Sequence, residues 1–200
     1  MRQIKLGILG VGNMGSTHLT NIKEGKCPEL TVAAVADVNP ARLAWAREQL
    51  GSSLPVFATG EEMMDSGLVE AVLVAVPHYG HPRYAMEAMA RGLHVMVEKP
   101  AGVYTRQVRQ MNEAAARSSV VFGMMFNQRT NPAYQKMREL VQGGSLGQLR
   151  RTNWIITNWY RPQAYYDSGS WRATWSGEGG GVLLNQCPHN LDLWQWICGM

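Results

Sequence analysis

Apolar residues fall in short, nearly unbroken runs through the first part of the chain, at residues 4–9, 31–36, 71–76, 93–97 and 119–124. Between them, over approximately 14–24, 40–50, 60–66, 81–91 and 104–117, the apolar positions open out to helical spacing. A strand wetted on one side alternates apolar with polar residues, whereas one buried on both sides does not. Continuous runs alternating with helices therefore predict a parallel sheet covered on both faces. Right-handed crossovers make such a sheet doubly wound. Gly25, Gly51 and Gly92 follow three of the helical stretches, where a left-handed cap ends a helix.

The texture changes after about Met125. Residues 131–142 read as one helix, closed by Gly143 and Gly144, and residues 149–160, rich in β-branched and aromatic side chains, predict a long strand. An irregular polar stretch then runs to Gly181, and an amphipathic helix is predicted over 182–198. The pattern divides the chain into an α/β domain over 1–124 and a smaller α+β unit over 125–200, with no internal repeat.

Composition narrows the partners. The 46% apolar and 17% charged content is ordinary for a globular chain, enough for one domain of ~120–130 residues and a smaller second unit. The net charge of +4 is thinly spread, with only Arg150 and Arg151 forming an adjacent basic pair and no basic stripe among aromatics. Nucleic acid is therefore not an expected partner. No run of ~18 apolar residues predicts a membrane span, and the first strand begins without a cleavable apolar segment. Cys27, Cys187 and Cys198 are odd in number and lack metal-ligand spacing, so no metal is expected and a reducing cytoplasm is.

Chemistry enters at Gly10-Val11-Gly12-Asn13-Met14-Gly15. A G-x-G-x-x-G alone is weak, and glycines in a tight turn explain it blandly. Here it follows the first strand, opens a helix and is followed by Asp37 at the end of the second strand, 22 residues beyond Gly15, which is the context the motif needs. The first glycine makes the turn, the second lets backbone approach a pyrophosphate and the third permits close helix–strand packing. Asp37 would accept from ribose hydroxyls and repel a 2′-phosphate, so NAD is expected over NADP, with NADP left open. Asp37 is also placed to cap the helix near Pro40, which is compatible with that role. The 71–76 strand ends in Pro77-His78-Tyr79-Gly80-His81, a loop on the same sheet edge. Pro77, His78 and His81 are thus cofactor-contact candidates, although a histidine near a helix start is more often a polar loop residue. The 93–97 strand runs into Glu98-Lys99-Pro100. Ligands of open α/β sheets bind beyond the carboxyl ends of the strands, which puts Glu98 and Lys99 at the cofactor edge.

Together with Gly144-Ser145-Leu146-Gly147 and the run 179–192 (GGGVLLNQCPHNLD), these residues resemble the glucose–fructose oxidoreductase, inositol dehydrogenase and rhizopine-catabolism (Gfo/Idh/MocA) family over the whole chain. The last run looks like that family's GGGxLxDxGxHxxD signature. The resemblance implies an NAD-dependent dehydrogenase acting on a sugar, inositol or related polyol, with a Rossmann sheet followed by a substrate domain built on an open, mainly antiparallel sheet. It assigns the catalytic group to Lys99, His189 and Asn185, where the family usually has aspartate at the last position. Asparagine orients but does not titrate, which leaves the proton to His189 and Lys99. His189, of a residue type that titrates near neutrality, would take the hydroxyl proton while Lys99 stabilises the oxygen, or the two exchange roles.

Asn185 and His189, at i and i+4, share a face if one helix carries both. If a helix starts near Gln186, Pro188 sits harmlessly in its first turn; if it starts near Val182, Pro188 kinks it. Asp192 orients the imidazole or caps backbone. Arg129, Trp154, Tyr160, Trp171, Arg172 and Asp192 itself are candidate substrate contacts, although aromatics on a strand are more often core. The resemblance also implies that the chain is an N-terminal portion, that the full-length protein is a homodimer or homotetramer, and two other readings: an NAD-dependent glycosidase and a non-catalytic dinucleotide-binding regulator.

Overall fold

The computed structural model describes residues 2–157, 160–169 and 171–199. The chain divides into two units, 1–125 and 126–200.

The first unit carries six parallel strands: β1 (Ile4–Leu9), β2 (Leu30–Ala36), β3 (Val56–Phe57), β4 (Ala71–Val74), β5 (His94–Val97) and β6 (Phe122–Met124). They are ordered β3-β2-β1-β4-β5-β6, the doubly wound arrangement whose direction of winding reverses between β1 and β4. Successive side chains alternate between faces, and the two cores follow from that. Leu6, Ile8, Val35 and Leu73 point to one face; Leu9, Ala34, Ala36, Val72, Val74, Val95 and Val97 point to the other. Burying each large side chain contributes roughly 1.5–3 kcal/mol.

The helices form for local reasons. Asn39 accepts from the Ala41 N–H and Pro40 takes the first turn of α2 (Pro40–Leu50), after α1 (Asn13–Lys23). Thr59 and Glu62 make a reciprocal capping box on α3 (Gly60–Asp65). Helices α4 (Gly80–Ala90) and α5 (Thr105–Arg117) follow. Leu19 of α1 and Ala46 of α2 close the first core, while Met63, Ala85, Ala88 and Met111 of α3, α4 and α5 close the second.

Two details differ from the pattern-based expectation. Strand β3 is only two residues long, too short to leave a periodic trace. Strand β5 is not buried on both faces: Val95 and Val97 are buried, but His94 is exposed and Met96 is 38% exposed. Its buried side belongs to the core that α4 and α5 cover.

The second unit is helical among its described residues: a 3-10 turn (Asn127–Thr130), α6 (Pro132–Gln142), α7 (Gln163–Asp167), α8 (Val182–Asn185) and α9 (Pro188–Cys198). Two expectations fail here. Residues 149–157 form no strand, because a strand exists only through a hydrogen-bonded neighbour and no described segment of this unit supplies one; residues 158 and 159 lie outside the described residues. The helix expected over 182–198 is broken between Asn185 and Pro188. Proline has no N–H to continue α8 and its ring clashes with the preceding turn, so Pro188 starts α9 instead.

Candidate functional site

All six strands run in parallel, so the carboxyl ends of β1, β4 and β5 share one edge of the sheet. β1 delivers Gly10–Gly15, β4 delivers Pro77–His81 and β5 delivers Glu98–Lys99 to it. Gly10 has φ +89°, and a Cβ there would lie 2.7 Å from the Ala75 carbonyl. A Cβ on Gly15 would lie 1.9 Å from the Gly10 carbonyl, so α1 closes on the turn only because that atom is missing. Gly12 differs, since a Cβ there would meet nothing within 4 Å. No packing demands that glycine; it leaves an open approach to the backbone. Among the described residues no side chain caps α1, so its first N–H groups remain available to an anion. Asn13 and Met14 lie exposed on the same turn.

Asp37 sits beside this turn. Its Oδ2 accepts from the Val11 N–H at 2.7 Å, and its Oδ1 accepts from the Asn39 N–H at 2.8 Å. The carboxylate thus braces the glycine turn, and the capping of α2 falls to Asn39 rather than Asp37. An open glycine, uncapped helix donors and an acid at the end of β2 fit the pyrophosphate and ribose of a dinucleotide.

The histidines and Glu98 occupy places the sequence pattern does not reveal. His81 is 1% exposed. Its Nδ1 lies 2.6 Å from the Pro100 carbonyl and its Nε2 2.7 Å from the Val76 carbonyl, so it ties the β4 loop to the turn that carries Lys99. Burial pushes its imidazole below the ordinary value; the two carbonyls and Glu98 pull the other way, and Lys99 adds to the lowering. His78 is buried with its ring 5.9 Å from that of His81, while Pro77 is exposed. Glu98 is 5% exposed. One of its oxygens lies 2.7 Å from Nε2 of His18 and the other accepts from the Lys99 N–H at 3.2 Å. Sequence reasoning missed His18; its only trace is a histidine one helical turn beyond Gly15, on the helix that the glycine motif opens.

The second unit holds the other candidates. His189 is half-buried in the first turn of α9, with the Phe126 ring edge-on at 6.1 Å. Asn185 ends α8, so the two residues stand on separate helices rather than one turn apart on one. Asn185 is buried and donates through Nδ2 to Oε1 of the buried Glu178, a second residue that sequence reasoning missed. Its signal is an acid set inside a glycine run, Gly177-Glu178-Gly179.

Arg129 and Asp192, expected as substrate contacts, form a two-pronged ion pair with each other: Nε donates to Oδ2 at 2.8 Å and Nη2 to Oδ1 at 2.5 Å. The Asp192 carboxylate raises the already high pKa of the guanidinium, which also packs against Phe126 and Trp196. Arg172 donates to the Tyr165 hydroxyl at 2.6 Å and lies over the Tyr165 and Trp171 rings. Tyr160 is 82% exposed, and Trp154 packs near Tyr134 with ring centroids 6.2 Å apart.

The family model described as an oxidoreductase family with an NAD-binding Rossmann fold matches residues 4–126, and the GFO/IDH/MocA C-terminal domain model matches 134–200. The rhizopine catabolism protein MocA of Rhizobium meliloti is 30% identical over 200 residues, covering 100% of this chain and 58% of that protein. An inositol 2-dehydrogenase of Leifsonia xyli is 27% identical, covering 98% and 54%. Among solved structures, the WlbA dehydrogenase of Chromobacterium violaceum, in complex with NADH and UDP-GlcNAcA, matches with a TM-score of 0.87 at 27% identity, covering 100% and 56%. A scyllo-inositol dehydrogenase of Lactobacillus casei, with NAD(H) and scyllo-inositol bound, matches with a TM-score of 0.82 at 28% identity, covering 99% and 57%. The chain spans just over half the length of these relatives.

Proposed function

This chain belongs to the GFO/IDH/MocA oxidoreductase family, and from that premise we propose that it is the cofactor-binding and catalytic part of an NAD-dependent dehydrogenase that oxidises a hydroxyl carbon of a sugar, inositol or related polyol. The observation that carries the reading is the convergence, on one sheet edge, of a glycine turn with an open backbone approach and a strand-end lysine. Relatives described as inositol dehydrogenases, and a neighbour holding NAD(H) with scyllo-inositol, support the substrate class.

Gly10–Gly15 and the start of α1 would hold the pyrophosphate, and Asp37 would accept from the adenosine ribose. When bound, NAD supplies the acceptor for the two electrons that leave the substrate carbon with its hydrogen. His189 takes the hydroxyl proton as that hydrogen leaves, and Lys99 donates a hydrogen bond to the oxygen as negative charge develops on it. A charge-assisted donor aimed at a developing oxyanion lowers the barrier by several kcal/mol. Glu98, anchored by His18 and accepting from the Lys99 N–H, holds the backbone from which that lysine projects.

The test is NADH absorbance with the full-length protein against a panel of inositols, polyols, amino sugars and nucleotide-linked sugar acids. Turnover on at least one of them is expected, and Lys99→Ala should lower kcat by ~10²-fold or more. Unchanged turnover in that variant would remove Lys99 from the mechanism. Release of a leaving group from a glycoside, with no net NADH, would replace the dehydrogenase reading by that of an NAD-dependent glycosidase.

A further inference from the structure

Glu178 is a carboxylate that the mechanism above does not use, and it is 5% exposed. Burying an ionised carboxylate is costly unless donors meet it, and one donor here is the side-chain amide of Asn185, itself 6% exposed. The backbone around the acid is pinned as well. The Glu178 N–H donates to the Thr174 carbonyl at 2.9 Å and the Gly177 N–H to the Thr174 hydroxyl at 3.0 Å. A Cβ on Gly177 would lie 2.2 Å from the Trp171 carbonyl, so this turn presses closely on its neighbour.

An asparagine amide has two ends of nearly equal size, a donor and an acceptor, and packing alone does not choose between them. A carboxylate does choose, because it only accepts. With Nδ2 committed to Glu178, the end of Asn185 turned away from the acid is the carbonyl oxygen. We infer that Glu178 is a positioning residue of the chemical site: it fixes the Asn185 amide so that position 185 presents an acceptor oxygen, with the formal negative charge held one hydrogen bond behind it. An acceptor there can take the hydrogen bond of a substrate O–H or of an imidazole N–H, and an amide N–H in the same place can take neither. The inference rests on the dehydrogenase reading and on the place in its catalytic group that the family resemblance gives Asn185.

The arrangement can be exchanged atom for atom, which makes it testable in the full-length protein. In Glu178→Gln the partner offers an amide that either donates or accepts, so the orientation of Asn185 is no longer forced. In that variant kcat is expected to fall about tenfold while the KM for NAD stays within about twofold, since a misoriented group costs rate rather than cofactor binding. In Asn185→Asp two carboxyl groups meet in a buried place and repel, so kcat falls again. The double variant E178Q/N185D puts the amide behind and the carboxylate in front; the pair is complementary once more, and kcat is expected to recover to within about threefold of wild type.

A purely packing role predicts a silent Glu178→Gln, because the two side chains have the same shape, and that result would overturn the inference. A double variant no better than its worse single parent would overturn it too. The dehydrogenase reading fails separately, through a wild-type protein inert on every substrate of the panel. Melting temperatures then test the pairing on which the inference stands: an N185D that melts like wild type, or a double variant that melts no higher than N185D, overturns it.

Discussion

His81 is enclosed between two backbone carbonyls, and its protonation is tied to folding. Only the charged ring donates to both carbonyls, but burial works against the charge and is the larger effect, so the folded ring sits below the ordinary value of 6.5. Unfolding releases the ring to water and restores that value. As pH falls through about 6.5 the unfolded chain takes up the proton first, so acid favours unfolding. The stability His81 lends is whole above that pH and is lost progressively down to the lowered folded value. Wild-type protein should therefore lose more melting temperature between about pH 7.5 and about pH 5.5 than His81→Asn does. Equal losses in the two proteins would show that His81 does not change its protonation on unfolding. The same geometry turns both ring nitrogens of His81 toward backbone carbonyls, at 2.6 and 2.7 Å.

At the scale of the element, the glycine turn separates packing from function within six residues. Gly15→Ala drives a methyl into the Gly10 carbonyl, an overpacking that costs about 3 kcal/mol or more and should lower the melting temperature sharply. Gly12→Ala meets no protein atom, so its melting temperature should match wild type while NADH affinity, followed by fluorescence, falls about tenfold or more. A Gly12→Ala protein that binds NADH normally would show that the open approach is not where the cofactor lies.

This turn was legible in the sequence because its spacing states its geometry, and β1, with α1, α2 and α5, was legible because strand and helix periods differ. What was not legible depended on neighbours. Residues 149–157 have the composition of a strand, yet a ladder needs a second strand, which composition does not encode. The break between α8 and α9 was carried by one residue, Pro188, whose two permitted placements the pattern alone left open. The His18–Glu98 and Glu178–Asn185 pairs join residues 80 and seven positions apart, with no periodic signature.

Over the whole molecule the two units are unequally equipped. Both core clusters, all six strands and every candidate cofactor contact lie within residues 1–125. Among the described residues of 126–200 the buried hydrophobic side chains are Leu193 and Ile197, and the buried polar ones are Glu178 and Asn185. At roughly 1.5–3 kcal/mol per buried side chain, two do not offset the ordering of such a chain. Residues 1–125 alone should therefore melt cooperatively and bind NADH, whereas residues 126–200 alone should show neither a cooperative transition nor dispersed amide resonances. The first piece should also be inert with every substrate, because His189 and Asn185 are absent from it while Lys99 remains. If residues 1–125 bind NADH and nonetheless oxidise a polyol at the full-length rate, proton transfer does not need the second unit and His189 loses its role. If they bind but do not turn over, the division of labour follows the division of the chain: one unit sets the cofactor and the lysine, and the other brings the proton acceptor.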